Sequence, residues 1–476
     1  MEYKCCSSCI LRLGALTGHW MLSLLHQVQT GLIPARSLVV AESSKRILSL
    51  ELSSSRHLEK CHNASINTLD IDQVEGRYLL SGAFDGGMYI HDLYNTSGEP
   101  SYTMKCVAKF DGSSSHRYSV ASVQWYPPDT GLFTSSSMDK QLRVWDTNLQ
   151  RCVEQFIFPY HVNAHHVSSQ NSSLIAAIED GISDMSEVEV GESYPLHIAT
   201  FNSKYPPIRR ILIKNILVIK ARHLRNFALS YSTTALVDLR VGCTTHELQG
   251  HNKGKVRVVK WSPYASNLLA TGGTDHRLLL WDVRSAKTYL KSLDMYNEGQ
   301  TKSKKASATA HFGTISSLCF TPDGLYLISW GNDNYLRLWD VANGRNTMVN
   351  YGVLFNSNAL RSIQIDVSYD TKPAMVFVPK KSTVVCLDLF NGWELGSLSG
   401  HFTSVNCCAL RQGYQELYTG GSDRNLLLWT PDTAQEAAYE ESGQKPPPTN
   451  TSKYLNKITG SMLERPCIMD QWSDSD

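Results

Sequence analysis

Thr271–Gly–Gly–Thr–Asp275–His–Arg–Leu–Leu–Leu–Trp281–Asp282–Val–Arg284 decides how this chain folds. A small hydroxyl residue, Thr271, lies on an apolar strand. Asp275 follows four residues later in a tight turn, and a second apolar strand ends in Trp281–Asp282. The spacing predicts one hairpin of a repeating sheet. Arg284, two residues after Asp282, is not needed to fold that hairpin and requires its own explanation.

The same grammar recurs along the chain. Ser135 and Asp139 lead to Trp145, Ser329 and Asp333 to Trp339, and Thr419 and Asp423 to Trp429. A weaker copy has Ser81 and Asp85, with His91–Asp92 where Trp–Asp would stand. A histidine precedes each copy, at His62, His116, His251, His311 and His401, about 22 to 24 residues before the turn aspartate. This is the pattern of the WD repeat, in which Trp, Ser/Thr, His and Asp form one hydrogen-bonded chain. Buried polar groups need partners, so the set reads as structural. A catalytic Ser–His–Asp triad uses the same residue types, but an active site occurs once and this set repeats around the chain.

Blade counting predicts an all-β, seven-bladed β-propeller. The step from His311 to His401 (401 − 311 = 90 residues) holds two blades. The degenerate sixth lies around Val376–Phe–Val and Thr383–Val–Val–Cys–Leu–Asp388. Blade three is expected to begin near His165–His166 and to end with Ala235–Leu–Val–Asp–Leu–Arg240, and Arg46–Leu52 to supply the outer strand of blade seven. The propeller therefore occupies 45–435. Residues 178–234 are an atypical insertion that splits blade three. Its first part is acidic and its second part, around Arg209–Lys220, basic and aliphatic. A retained intron or a misjoined gene would explain it, and a lineage-specific loop is the alternative.

Ahead of the ring, Leu22, Leu25 and Val28 form a helical stripe, Gly31 and Pro34 stop it, and a second short helix is expected over Ala35–Glu42. Residues 21–44 thus form a helix–loop–helix, which either packs on the propeller or inserts into a partner's groove. Residues 1–20 are expected to lie outside the fold. The tail 436–476, with Lys445–Pro–Pro–Pro448, is expected to be disordered. The loop around Lys302, Lys304 and Lys305 reads as a solvated connection.

Lys and Arg total 45 against 44 Asp and Glu, which argues against a dedicated duplex-binding protein. The 12 cysteines show neither a disulfide framework nor a paired C-x2-C zinc frame, so no metal or other cofactor is expected. Cys9–Met21 is too short and polar to span a bilayer. No non-repeating acid, base or nucleophile constellation marks an enzyme.

The block from His116 through His–Arg–Tyr–Ser–Val–Ala–Ser–Val–Gln–Trp–Tyr–Pro–Pro to Trp145–Asp–Thr–Asn148 is far more specific than a generic repeat. It closely resembles the Cockayne syndrome group A family. Ile66–Ile71, Val74–Tyr78, Asn346–Gly352, Gln415–Tyr418 and the closing Trp472–Ser–Asp also resemble it. The resemblance covers about 21–177 and 235–429; it omits 1–20 and the insertion, and places the family's start near Met21.

The resemblance implies a non-catalytic, nuclear substrate receptor of a cullin-4 RING ubiquitin ligase acting in transcription-coupled nucleotide excision repair. The implied partners are a large triple-propeller adaptor and, through it, cullin-4 and the RING subunit. Others are a Cockayne syndrome group B-like remodeller and the RNA polymerase II machinery, with no sequence-specific nucleic-acid binding and no membrane. It also implies two adaptor contacts: the helical segment 21–44 with Leu22, Leu25 and Val28, and the box Trp281–Asp282–Val283–Arg284. Arg240 is a second, weaker candidate. A general WD scaffold in another nuclear complex is the competing reading.

Overall fold

The computed structural model describes residues 26–32, 34–94, 102–112, 115–170, 174–180, 234–251, 254–285, 288–297, 309–355 and 362–431. Seven four-stranded antiparallel sheets succeed one another, which makes the chain a seven-bladed β-propeller. Blades one to seven take their strands from 66–110, 120–157, 161–248, 256–292, 315–346, 366–399 and 405–431. The last sheet is completed by Leu50–Leu52, which pairs with the strand Leu426–Pro431 through Leu50↔Pro431 and Leu52↔Trp429. The N-terminal end of the ring thus becomes the outer strand of its last blade, and closure leaves only short exposed edges.

The alternation of the strands explains the packing. Residues i and i+2 share a face, and each apolar face meets the next blade. Val258, Leu278, Leu280, Ile315, Leu318 and Trp339 form one such layer between blades four and five. Blade six lacks the repeat's polar set, yet Val376, Val378, Val385 and Leu387 are all buried against blade five, beside Trp330 and Leu338. Inner strands are also tied crosswise by side chains. The backbone N–H of Trp125 donates to Asp70 at 2.7 Å, that of Val167 to Gln124 at 2.7 Å, and that of Leu410 to Asp366 at 2.7 Å. Each bond satisfies a backbone group that the innermost strand cannot pair within its own sheet.

Three boundaries differ from the sequence expectation. Helix α1 runs Ala35–Leu48, so Arg46–Leu48 are helical, only Leu50–Leu52 is strand, and a division at 44/45 cuts the helix. Lys45 and Arg46 lie in its last turn, where they complement the C-terminal dipole. Blade three begins at His161, so His165 and His166 lie inside its first strand. It ends with Cys243–Leu248 rather than at Arg240, because the chain turns after Asp238 and adds a fourth strand.

The second and third strands of blade three pair from Leu174↔Asp238 to Ile178↔Thr234. The two ends of the insertion are therefore strand, and they meet across one hairpin. Residues 1–25, 181–233, 298–308 and 432–476 lie outside the described residues, and with them Leu22, Leu25, the loop lysines and the expected tail.

Candidate interaction face

Four of the polar sets assemble completely. In blade four, the Trp281 indole N–H donates to Thr271 Oγ1 at 2.8 Å, which lies 2.8 Å from His251 Nε2; His251 Nδ1 lies 2.9 Å from Asp275. Trp145, Ser135, His116 and Asp139 repeat this in blade two, at 2.7, 2.6 and 2.8 Å. Trp339, Ser329, His311 and Asp333 do so in blade five, at 2.8, 2.7 and 2.9 Å. In blade seven Trp429, Thr419, His401 and Asp423 follow, at 2.9, 2.8 and 2.9 Å. The hydroxyl receives the indole proton and passes its own to His Nε2, and His Nδ1–H faces the carboxylate. Burial is the largest influence on His116 and His311 and holds both below the usual histidine range. Burial opposes ionisation of Asp333, but His311 and Arg337 outweigh it and keep the carboxyl low. The chain of bonds runs inward, with each histidine held between a hydroxyl and a carboxylate; in blade four the second carboxylate oxygen of Asp275 has no hydrogen-bond partner.

The weak copy in blade one is incomplete. His62 Nε2 meets Ser81 Oγ at 2.8 Å, but Asp85 receives the backbone N–H of Gly87, and His62 Nδ1 has no hydrogen-bond partner.

The aspartate that ends the third strand of blades one to six has a different task. Asp92, Asp146, Asp238, Asp282, Asp340 and Asp388 each accept the backbone N–H two residues ahead, at 2.9 to 3.0 Å. This Asx turn fixes the connection to the outer strand. At Asp282 the carboxylate does more. Arg284 Nε donates to Oδ1 at 3.0 Å and Nη2 to Oδ2 at 2.6 Å, while the arginine side chain remains 73% exposed. The hydrogen bond from Arg284 holds Asp282 below the ordinary carboxylate range. Arg240 makes the same fork on Asp238, at 3.2 and 3.0 Å, and is 67% exposed. Two neighbouring blades therefore carry the same oriented guanidinium.

Topology puts these groups on one face. In an antiparallel meander, the first-to-second and third-to-fourth connections leave the sheet at the same end. Arg240 and Arg284 sit on third-to-fourth connections. Helix α1 rests on first-to-second connections: the Lys372 N–H donates to Ser44 Oγ at 2.8 Å, and Gln415 Nε2 to Ser43 Oγ at 3.3 Å. Ile47 packs with Phe377, Leu395 and Trp429. Only the C-terminal half of α1 is anchored. Val39 and, ahead of it, Leu32 are exposed, while Val28 is half-buried in the helical turn at 26–29.

A third fork on this face escaped the sequence reading. Arg77 donates to both oxygens of Asp92 at 3.1 and 2.7 Å. The two residues come from different turns, and only the register Tyr78↔Asp92 brings them together. Nearby, Arg411 stacks on Tyr414 with 3.6 Å to the ring centroid.

The WD domain, G-beta repeat family matches residues 104–146, 242–282, 303–340 and 392–430. The WD repeat-containing protein ATCSA-1 of Arabidopsis thaliana is 32% identical over 476 residues, spanning 85% of this chain and 93% of that protein. Human apoptotic protease-activating factor 1 is 26% identical over 62% of this chain, which spans only 21% of that protein. Human pre-mRNA-processing factor 17 is 23% identical over 41% of the chain and 30% of its own length.

Proposed function

Starting from a chain that belongs to the WD-repeat family, we propose that it is a non-catalytic substrate receptor of a cullin-4 RING ubiquitin ligase. It would act in the nucleus, in transcription-coupled nucleotide excision repair. The face that carries Arg240, Arg284 and the free half of α1 holds the large triple-propeller adaptor. The opposite face is left to present targets, a Cockayne syndrome group B-like remodeller at stalled RNA polymerase II among them. The observation that carries the reading is the exposed Arg284–Asp282 fork on the same face as the half-anchored helix. A planar guanidinium held by a carboxylate on a rigid ring loses little freedom on meeting a partner's carbonyl or carboxylate groups. The similarity to ATCSA-1 along nearly its whole length supports a role like that of the Cockayne syndrome group A family.

The competing reading is a scaffold without a ligase role, favoured by the shorter match to pre-mRNA-processing factor 17. Affinity capture of the full chain from nuclear extract, followed by mass spectrometry, separates the two. Recovery of the cullin-4 adaptor with cullin-4 and its RING subunit supports the receptor. Recovery of a different stable complex without the adaptor overturns it.

A further inference from the structure

Blade one departs from its siblings at one place. Where intact blades hold the indole of tryptophan, this blade holds the smaller ring of His91, fully buried. His91 Nε2 lies 3.0 Å from the carbonyl oxygen of Glu59. A carbonyl can only accept, so this bond puts the ring proton on Nε2 and leaves a lone pair on Nδ1. Nδ1 is buried and has no hydrogen-bond partner.

Two thiols stand beside it. His91 and Cys106 are cross-strand partners, with an irregularity in the pairing between Ile90 and His91. The strand Arg56–Leu58 runs parallel to Tyr102–Met104, and Glu59 N–H bonds the Met104 carbonyl at 2.9 Å, which draws Cys61 toward Cys106. The ligand atoms of Cys61, His91 and Cys106 all lie within 4.8 Å of one another. Glu59 braces the arrangement twice, since its carboxylate also accepts the Cys106 N–H at 3.0 Å.

We propose that Cys61, His91 Nδ1 and Cys106 form a binding site for a thiophilic divalent cation of the zinc class. Zinc bonds thiolate sulfur at about 2.3 Å and imidazole nitrogen at about 2.0–2.1 Å, so ligand atoms in a tetrahedral site stand about 3.5–3.8 Å apart. The observed group needs only a small contraction, by rotation of two cysteine side chains. Cys106 gives up its thiol contact to the Ala108 carbonyl at 3.3 Å. The histidine has the arrangement usual for a metal ligand, its second nitrogen held by a backbone acceptor. A small cavity lined by Glu59, Cys61, His62 and Arg424 reaches the Cys61 side of the cluster. On binding, each thiol loses its proton to the buffer and no electron is transferred.

The test uses the full reduced chain titrated with Co2+ alone. A thiolate-to-cobalt absorption band is expected, bleached by Zn2+. It should vanish in the double variant Cys61→Ser/Cys106→Ser and persist in Cys5→Ser/Cys6→Ser/Cys9→Ser, which removes the other clustered thiols. In case the double variant misfolds, alkylation of the unaltered chain is mapped by mass spectrometry with and without Zn2+. Zinc should slow modification of Cys61 and Cys106 at least about tenfold. No band, a band that survives the double substitution, or unchanged alkylation of both cysteines overturns the site.

Discussion

Arg284 closes a fork on Asp282, with Nη2 2.6 Å from Oδ2 and Nε 3.0 Å from Oδ1, while its side chain stays largely in solvent. An exposed ion pair of this kind adds little to folding. It does hold the guanidinium in one direction, with other N–H groups left for a partner. Arg284→Ala should therefore leave the folding stability within about 0.5 kcal/mol of the parent, as for other surface substitutions. It should weaken adaptor binding by about 2 kcal/mol, the scale of an interface anchor. Arg284→Lys should also lose affinity, because an ammonium cannot reproduce the planar fork. Calorimetric titration with the purified adaptor checks both. Unchanged affinity in Arg284→Ala, with residues 21–44 also deleted, would remove the adaptor assignment.

Asp275 belongs to the inward side of the same blade. Its carboxylate meets His251 Nδ1 at 2.9 Å, and nothing apolar could take over that contact. Asp275→Ala should cost roughly 1–3 kcal/mol, because it leaves a buried histidine donor unpaired. Urea denaturation measures the loss. A midpoint equal to that of the parent would contradict a structural role for the set.

The sequence displays such sets because each is local. Thr271, Asp275 and Trp281 sit on one hairpin, and strand period fixes which face they share. Arg284 was legible for the same reason, two residues from its carboxylate. Long-range register was not legible. The Arg77–Asp92 fork and the cluster of Cys61, His91 and Cys106 arise from strands and linkers whose alignment no spacing rule prints. Helix α1 runs past the expected Ala35–Glu42 because Ser43 and Ser44 are buried against the ring, and Ser44 returns its hydroxyl to the Val40 carbonyl. Tertiary packing overrode weak local propensity there.

Acid sensitivity follows from buried neutral histidines. Burial lowers His62 and His165 to about 3. His165 has both ring nitrogens bonded to hydroxyls, Thr134 at 2.8 Å and Ser136 at 2.9 Å. The folded value lies below the unfolded value near 6.5, so the unfolded chain takes up the proton first. Stability is thus full above about pH 6.5 and is lost progressively as pH falls toward 3. At pH 5 each of these two histidines should account for about 2 kcal/mol of loss. Urea titrations at a series of pH values between 7.5 and 5 report it, and His165→Asn should make the slope shallower. Equal stability at pH 7 and pH 5 would refute the assignment of neutral buried rings.

The insertion in blade three should be dispensable for folding. Ile178 pairs directly with Thr234, and the strands before and after them complete a four-stranded sheet with Val162–Val167 and Cys243–Leu248. Ile178 and Thr234 are thus the last described pair of one hairpin. Loop-closure entropy grows as about (3/2)RT ln n, so replacing some fifty residues by a two-residue turn should stabilise the blade by up to about 3 kcal/mol. A chain in which Asn–Gly replaces 179–233, directly between the paired Ile178 and Thr234, should keep its melting midpoint or raise it, because that dipeptide supplies the positive φ angles of a tight hairpin turn. Differential scanning calorimetry decides it. A lowered midpoint or loss of cooperative unfolding would mean that the excised segment contributes contacts of its own to the ring. At the transcript level, reads that join the codons near Ala177 and Ala235 would show that shorter hairpin in use, whereas abundant messages continuous through 178–234 would make the long loop the natural form.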